Sequence, residues 1–102
     1  MIKNFDSSTE KEMESNSVSI LDFWADWCGP CLNFMPIFEK VAEEFPGVSF
    51  YKVNIDEARE FAQKNRIMSI PTIMVLKNGK VVDQHKGSMS EEMFREFVEK
   101  HS

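Results

Sequence analysis

Two cysteines are the whole thiol supply of this 102-residue chain, and they stand in one short run, Trp27-Cys28-Gly29-Pro30-Cys31. A Cys-x-x-Cys pair alone serves zinc knuckles, redox sites and coincidence equally well, so its surroundings must decide. A zinc site would need further ligands, and His85 and His101 lie outside any Cys-x-x-Cys…His spacing that zinc folds use. The redox reading has a physical rationale. The run lies between an apolar strand-like segment and an amphipathic helical one, which puts Cys28 at a helix N-terminus. There, unpaired N–H groups and the helix dipole stabilise a thiolate. Pro30 suits the first helical turn, because it lacks the donor that would go unsatisfied there. Cys31 falls one turn in, near enough to close a disulfide and more sheltered than Cys28. One sulfur would attack and the other resolve.

The flanking elements must hold that geometry. Val18 to Ala25 is rich in β-formers and apolar on both parities, as in a central strand covered on both faces, so Asp22 is out of place within it. After Pro30, Phe34, Phe38, Val41 and Phe45 form one helical stripe, with Pro36 placed to kink the helix and an end expected near Pro46-Gly47. Val48 to Ile55 reads as a strand. Glu57 to Lys64 reads as a short helix, with Ala58, Phe61 and Ala62 inward and Asn65 closing it. Thr72 to Leu76 and Val81 to Val82 flank Lys77-Asn78-Gly79-Lys80, a strong hairpin signal. Ser90 can cap a last helix, with Met89 and Phe94 at the staple positions and Phe94, Phe97, Val98 and His101 on its buried edge. Nearer the start, the strand and helix read as short, and Ser7 with Glu10 has capping-box spacing. The order β-α-β-α-β-α-β-β-α implies an α/β fold with a mixed sheet and helices on both faces.

Length and composition fit one domain spanning residues 1–102, with 42% hydrophobic residues and nine Phe to supply aromatic burial. A net charge of −5 is opposite in sign to the usual footprint of nucleic-acid or anionic-membrane binding. No apolar run is long enough for a membrane span, and the polar start does not read as a secretory signal, so a cytoplasmic location is expected. The seven Met are expected to fill the core.

Several motifs together resemble the thioredoxin family. They are Phe23-Trp24-Ala25 before Trp27-Cys28-Gly29-Pro30-Cys31, Asp22 on the strand, and Lys52 in Tyr51-Lys52-Val53-Asn54-Ile55-Asp56. Ser69-Ile70-Pro71-Thr72, Lys77-Asn78-Gly79 and Gly87 complete the set, which spans nearly the entire chain in order. The resemblance implies a thioredoxin fold, a central mixed sheet of about five strands flanked by about four helices. It implies a disulfide reductase in which Cys28 forms the mixed disulfide with a target and Cys31 resolves it. Asp22 would assist proton transfer at Cys31, with Lys52 its neighbour in space. Trp24 and Trp27 would be the packing and lid aromatics, with Pro36 structural nearby. Trp27, Gly29, Pro30, Ile70, Pro71 and Gly87 would form the docking surface, Pro71 being a cis-proline that faces the disulfide. The implied partners are a thioredoxin reductase and disulfide-containing proteins, with a monomer expected. No cofactor or metal is implied beyond the Cys28–Cys31 pair, the electrons coming from NADPH through the separate reductase.

A dithiol oxidase or isomerase on the same fold is the first rival; Gly29-Pro30 argues against it, since such enzymes usually carry a His inside the motif. A non-catalytic scaffold is the second, and the joint presence of both cysteines, Asp22 and Pro71 argues against that. Leu32 stands where the family often has a basic residue, and Lys86 stands beside Gly87 where an apolar or small residue is frequent. Both bear on partner choice.

Overall fold

Residues apolar on both parities form the middle of the sheet, and polar-edged segments form its rims. The computed structural model describes residues 2–102. Its elements are β1 (Ile2–Asn4), α1 (Ser7–Met13), β2 (Ser19–Trp24), α2 (Gly29–Ala42), β3 (Ser49–Asn54), α3 (Arg59–Lys64), β4 (Thr72–Lys77), β5 (Lys80–Lys86) and α4 (Glu91–His101). The strands run in the order β1-β3-β2-β4-β5. The β1–β3 and β3–β2 pairs are parallel, whereas β2–β4 and β4–β5 are antiparallel. This is the thioredoxin fold, with the expected element order.

Alternation along the central strands divides the core in two. Ile20, Phe50, Ile73 and Val75 face α2 and α4, where they pack with Phe34, Phe38, Phe94 and Val98. Leu21, Phe23, Tyr51, Val53 and Met74 face the other way, with Met13 of α1 and with Phe61 and Ala62 of α3. The Phe stripe of α2 is a packing device: Phe34 meets Phe94 edge-on at 5.1 Å, and Phe38 meets Phe50 edge-on at 5.6 Å.

Four sequence expectations shift. The N-cap of α1 is Asp6, one residue before the expected Ser7. Its carboxylate accepts from the amides of Ser8 and Thr9 at 2.9 and 3.0 Å, and Thr9 Oγ1, in place of Glu10, accepts from the Asp6 amide at 2.9 Å. Phe5 stacks on Phe61 at 4.2 Å, which fixes where the chain leaves β1 and presents Asp6 to the helix. Helix α2 stops at Ala42, short of Pro46: the amides of Glu44 and Phe45 bond three residues back, to Val41 and Ala42, so the last turn tightens out of the α-helix. Strand β5 extends well past Val82. Val75 pairs with Asp83 and Leu76 with Val81, leaving Val82 as the extra residue of a bulge, and the polar stretch Asp83–Lys86 continues the pairing at the sheet edge. Finally, Met13, Met74 and Met89 are core, but Met68 is 88% exposed in the loop before β4 and Met93 is 51% exposed on α4, while Met1 lies outside the described residues.

The hairpin and the last cap follow the sequence reading. Asn78 and Gly79, with φ of 53° and 82°, form the two-residue turn between β4 and β5. A side chain at Gly79 would bring its Cβ to 3.0 Å from the Glu14 backbone. Ser90 Oγ accepts from the Met93 amide at 3.2 Å, and Met89 and Phe94 share one core.

Candidate active site

Strand β2 ends at Trp24, and the turn that follows delivers Cys28 to the N-cap of α2. The Cys28 amide donates to Ala25 O at 3.2 Å, and Cys28 O accepts from the Leu32 amide at 3.1 Å. Cys28 and Cys31 are joined as a disulfide, with their Cα atoms 5.3 Å apart. Cys28 Sγ also accepts from the Cys31 amide at 3.3 Å, so a sulfur anion at this position has an orphan helix donor aimed at it. Cys28 keeps 7% of its surface and Cys31 none, which leaves Cys28 as the only sulfur a second molecule can reach.

A second loop closes on the pair. The Ile70–Pro71 bond is cis, and Ile70 O lies 3.8 Å from Cys28 Sγ. Thr72 Oγ1 donates to Ser69 O at 2.7 Å, and the Gly87 amide donates to Pro71 O at 2.8 Å, so the end of β5 supports the same loop. Gly87 has φ of 100°, a backbone that favours glycine. A side chain on Gly29 would meet nothing within 4 Å, leaving the approach beside Pro30 open. Trp27 is 68% exposed, with its indole N–H donated to Asp56 Oδ2 at 2.9 Å. That bond fixes an apolar ring next to Cys28, and Asp56 is the residue its anchoring needs that the sequence reading left without a role. Trp24 packs against Ala25, Cys28 and Cys31 together with Ile55 and Ile70.

Beneath this surface Asp22 is completely buried, and neither carboxylate oxygen has a hydrogen-bond partner among the described residues. Burial pushes its pKa up to about 7, against a smaller opposing pull from the Lys52 charge. Lys52 is its direct register partner on β3, yet the ammonium bonds Glu39 Oε2 of α2 at 2.9 Å. Asp22 is therefore neither exposed nor held by the Lys52 ammonium. Pro36 lies inside α2 on its exposed side, eight residues beyond Cys28 and about 12 Å along the axis. Among the described residues no cluster of three or more His, Cys, Asp or Glu could hold a metal ion, and no helix is long and apolar enough to cross a membrane.

The arrangement can do one kind of chemistry well: an accessible sulfur at a helix N-terminus, a sheltered sulfur one turn on, and a buried carboxyl group, pushed up to about 7, on the strand that leads into them. Comparisons with known proteins agree. The Thioredoxin family model matches residues 2–100. The chain is 40% identical to thioredoxin of Bacillus subtilis, over 99% of this chain and 97% of that one. It is 37% identical to thioredoxin of Chlorobaculum thiosulfatiphilum, over 97% and 90%. A solved thioredoxin of Plasmodium falciparum superposes with a TM-score of 0.90 at 33% identity, covering 99% of this chain and 98% of that one. The chain belongs to the thioredoxin family, protein-disulfide reductases that act without a prosthetic group, and the Cys28–Cys31 pair is its redox centre.

Proposed function

We propose that this protein reduces disulfides of other proteins with divided roles for its two thiols. The difference in exposure between Cys28 and Cys31 carries the reading. In the reduced protein the Cys28 thiolate attacks one sulfur of a target disulfide. A mixed disulfide forms, and the other target sulfur leaves as a thiolate. Cys31 then gives its proton to the Asp22 carboxylate, and its sulfur attacks Cys28 Sγ. The Cys28–Cys31 bond forms, the bond to the target breaks, and the second target sulfur leaves and is protonated. The target gains two electrons and the dithiol loses two.

Docking is assigned to the rim around Cys28. Trp27, Gly29 and Pro30 supply one side, and Ile70, Pro71 and Gly87 the other, with the Ile70 backbone offered to an extended target segment. Lys52 tempers the Asp22 charge, Trp24 packs against the disulfide, and Pro36, exposed farther along α2, acts on the site only through the helix. Members of the family work with a thioredoxin reductase and with disulfide substrates; for this chain the proposed electron source is such a reductase, drawing on NADPH, and the proposed setting is the cytoplasm. The test is trapping. With Cys31→Ser, stable mixed disulfides should accumulate on Cys28 in the presence of a disulfide protein, and Cys28→Ser should trap none. Adducts found by mass spectrometry on Cys31 of the Cys28→Ser protein, and none on Cys28 of the other, would reverse the roles.

A further inference from the structure

Asp22 and Lys52 are register partners on adjacent parallel strands, so their side chains leave the sheet on the same face, beneath α2. Proximity alone would pair them. Instead, the Asp22 oxygens have no partner among the described residues, and the Lys52 ammonium lies 2.9 Å from Glu39 Oε2. Lys52 lines two clefts on this side of the molecule. One opens toward Glu39 of α2 and Glu43 just past its end, and the other toward Asp26 of the β2–α2 turn and Glu57. A long, partly exposed side chain between two acidic clefts has a choice of positions, and Glu39 decides it.

We propose that Glu39 is a positioning residue for the dithiol chemistry: it holds the Lys52 ammonium on the α2 side, off the Asp22 carboxylate, and so keeps Asp22 a strong enough base for Cys31. The inference rests on the reading of Asp22 as the proton acceptor. The charged and titratable groups facing the pair are few. Around Lys52, Glu39 comes from α2 and Glu43 from just past its end, and Asp26 and Glu57 come from the loops at the strand ends. The strands flanking the pair add none, because Asn4 of β1 registers with Lys52 and Ile73 of β4 with Asp22. Of the acids, Glu39 alone bonds the ammonium. Without the Glu39 charge, Lys52 is free to swing toward Asp22. A cation brought within a few ångströms of a carboxylate lowers its pKa by about one unit or more.

The experiment follows the Asp22 side-chain carboxyl by carbon NMR against pH in the disulfide form, in a cycle of Glu39→Gln, Lys52→Met and the double variant. Glu39 is about half exposed, so its amide variant leaves the core intact. Glu39→Gln should lower the Asp22 midpoint by about one pH unit, whereas in the Lys52→Met background the same change should move it by less than about a third of that. The acid limb of single-turnover resolution should move down with the midpoint. An unmoved midpoint in Glu39→Gln overturns the proposal, and so does an equal shift in both backgrounds, which would make Glu39 a distant charge acting without Lys52. Asp22→Asn separates this from the underlying reading. If it leaves the rate and pH profile of resolution unchanged, Asp22 is not the acceptor, and the cycle of midpoints still decides whether Glu39 governs the Lys52–Asp22 approach.

Discussion

Removing the Asp22 carboxylate should strengthen the fold and weaken the chemistry, and the size of the first effect follows from burial. Asp22 has no exposed surface, and its pKa is pushed from 3.8 to about 7. In the unfolded chain the group titrates near the unperturbed value, so between about pH 4 and pH 7 the native state holds a proton that the unfolded state has lost. Stability therefore falls as pH rises, by about 1.4 kcal/mol per pH unit from this group alone. The penalty is absent below about pH 4, complete above about pH 7, and amounts to about 4 kcal/mol. Asp22→Asn keeps the shape and cannot ionise.

Denaturant unfolding of the disulfide form, repeated from pH 4 to pH 9, isolates this contribution as the difference between the two proteins. Groups such as Glu12 and Glu44, whose partners Lys3 and Arg95 hold their carboxyls below the usual range, act on both proteins alike and cancel. The difference should be small near pH 4, grow through pH 7, and level off with the variant about 2–4 kcal/mol more stable, the lower figure allowing for an amide that is itself buried without a partner. Resolution by Cys31 should slow by about a hundredfold, the lower end of what a positioned general base contributes. A stability difference flat between pH 5 and pH 8 would refute the argument. So would an advantage of the variant that shrinks as pH rises, since that is the behaviour of an aspartate ionised and paired in the native state.

Two further changes test the frame around the site. Asp6→Ala removes the acceptor for two amides at the start of α1 and should cost about 1 kcal/mol, read as a lower thermal midpoint with redox activity retained. Gly79→Ala forces a left-handed residue to carry a Cβ that would sit 3.0 Å from the Glu14 backbone, and should cost about 1–2 kcal/mol or more, whereas Gly47→Ala, where a side chain meets no neighbour, should cost much less.

What the sequence disclosed depended on how local each signal was. Asn78-Gly79 specifies its turn within four residues, and Ser90 with Met89 and Phe94 specifies a helix start within six, so both were legible. The cap of α1 was not, because Asp6, Ser7 and Ser8 are all competent caps and the choice among them is made by Phe5 stacking on Phe61 far along the chain. Strand β5 was read only as far as its apolar pair, since the rest, Asp83–Lys86, is polar and is held by pairing with β4. Met68 has the side chain of a core residue and lies at 88% exposure in the loop before Pro71, which Thr72 Oγ1 holds through Ser69 O.

The site follows the same division. Cys28 and Cys31 are set by one helix turn, and their order of exposure was legible from that turn alone. The isolation of Asp22 was not, because it depends on where Lys52 sends its ammonium, and Glu39 is thirteen residues from Lys52 on another element.

The buried side-chain polar atoms left without partners among the described residues are both oxygens of Asp22 and the indole nitrogen of Trp24. All three belong to β2, at positions two apart, and so on one face of one strand beneath the start of α2. Elsewhere the described residues satisfy their buried polar side chains: the Tyr51 hydroxyl donates to Glu12 at 2.8 Å and accepts from Asn16 at 2.7 Å. A core that meets such needs elsewhere and leaves them unmet at one spot is unstable there for a local reason. An apolar residue in place of Asp22 would extend the row made by Ile20, Phe50, Ile73 and Val75, and would remove a charge whose burial costs about 4 kcal/mol at high pH. The same desolvation that makes the carboxylate costly raises its affinity for a proton to the range where a thiol can surrender one. The stability lost at β2 and the basicity available to Cys31 therefore have one physical origin, and no substitution at Asp22 that removes the first can preserve the second.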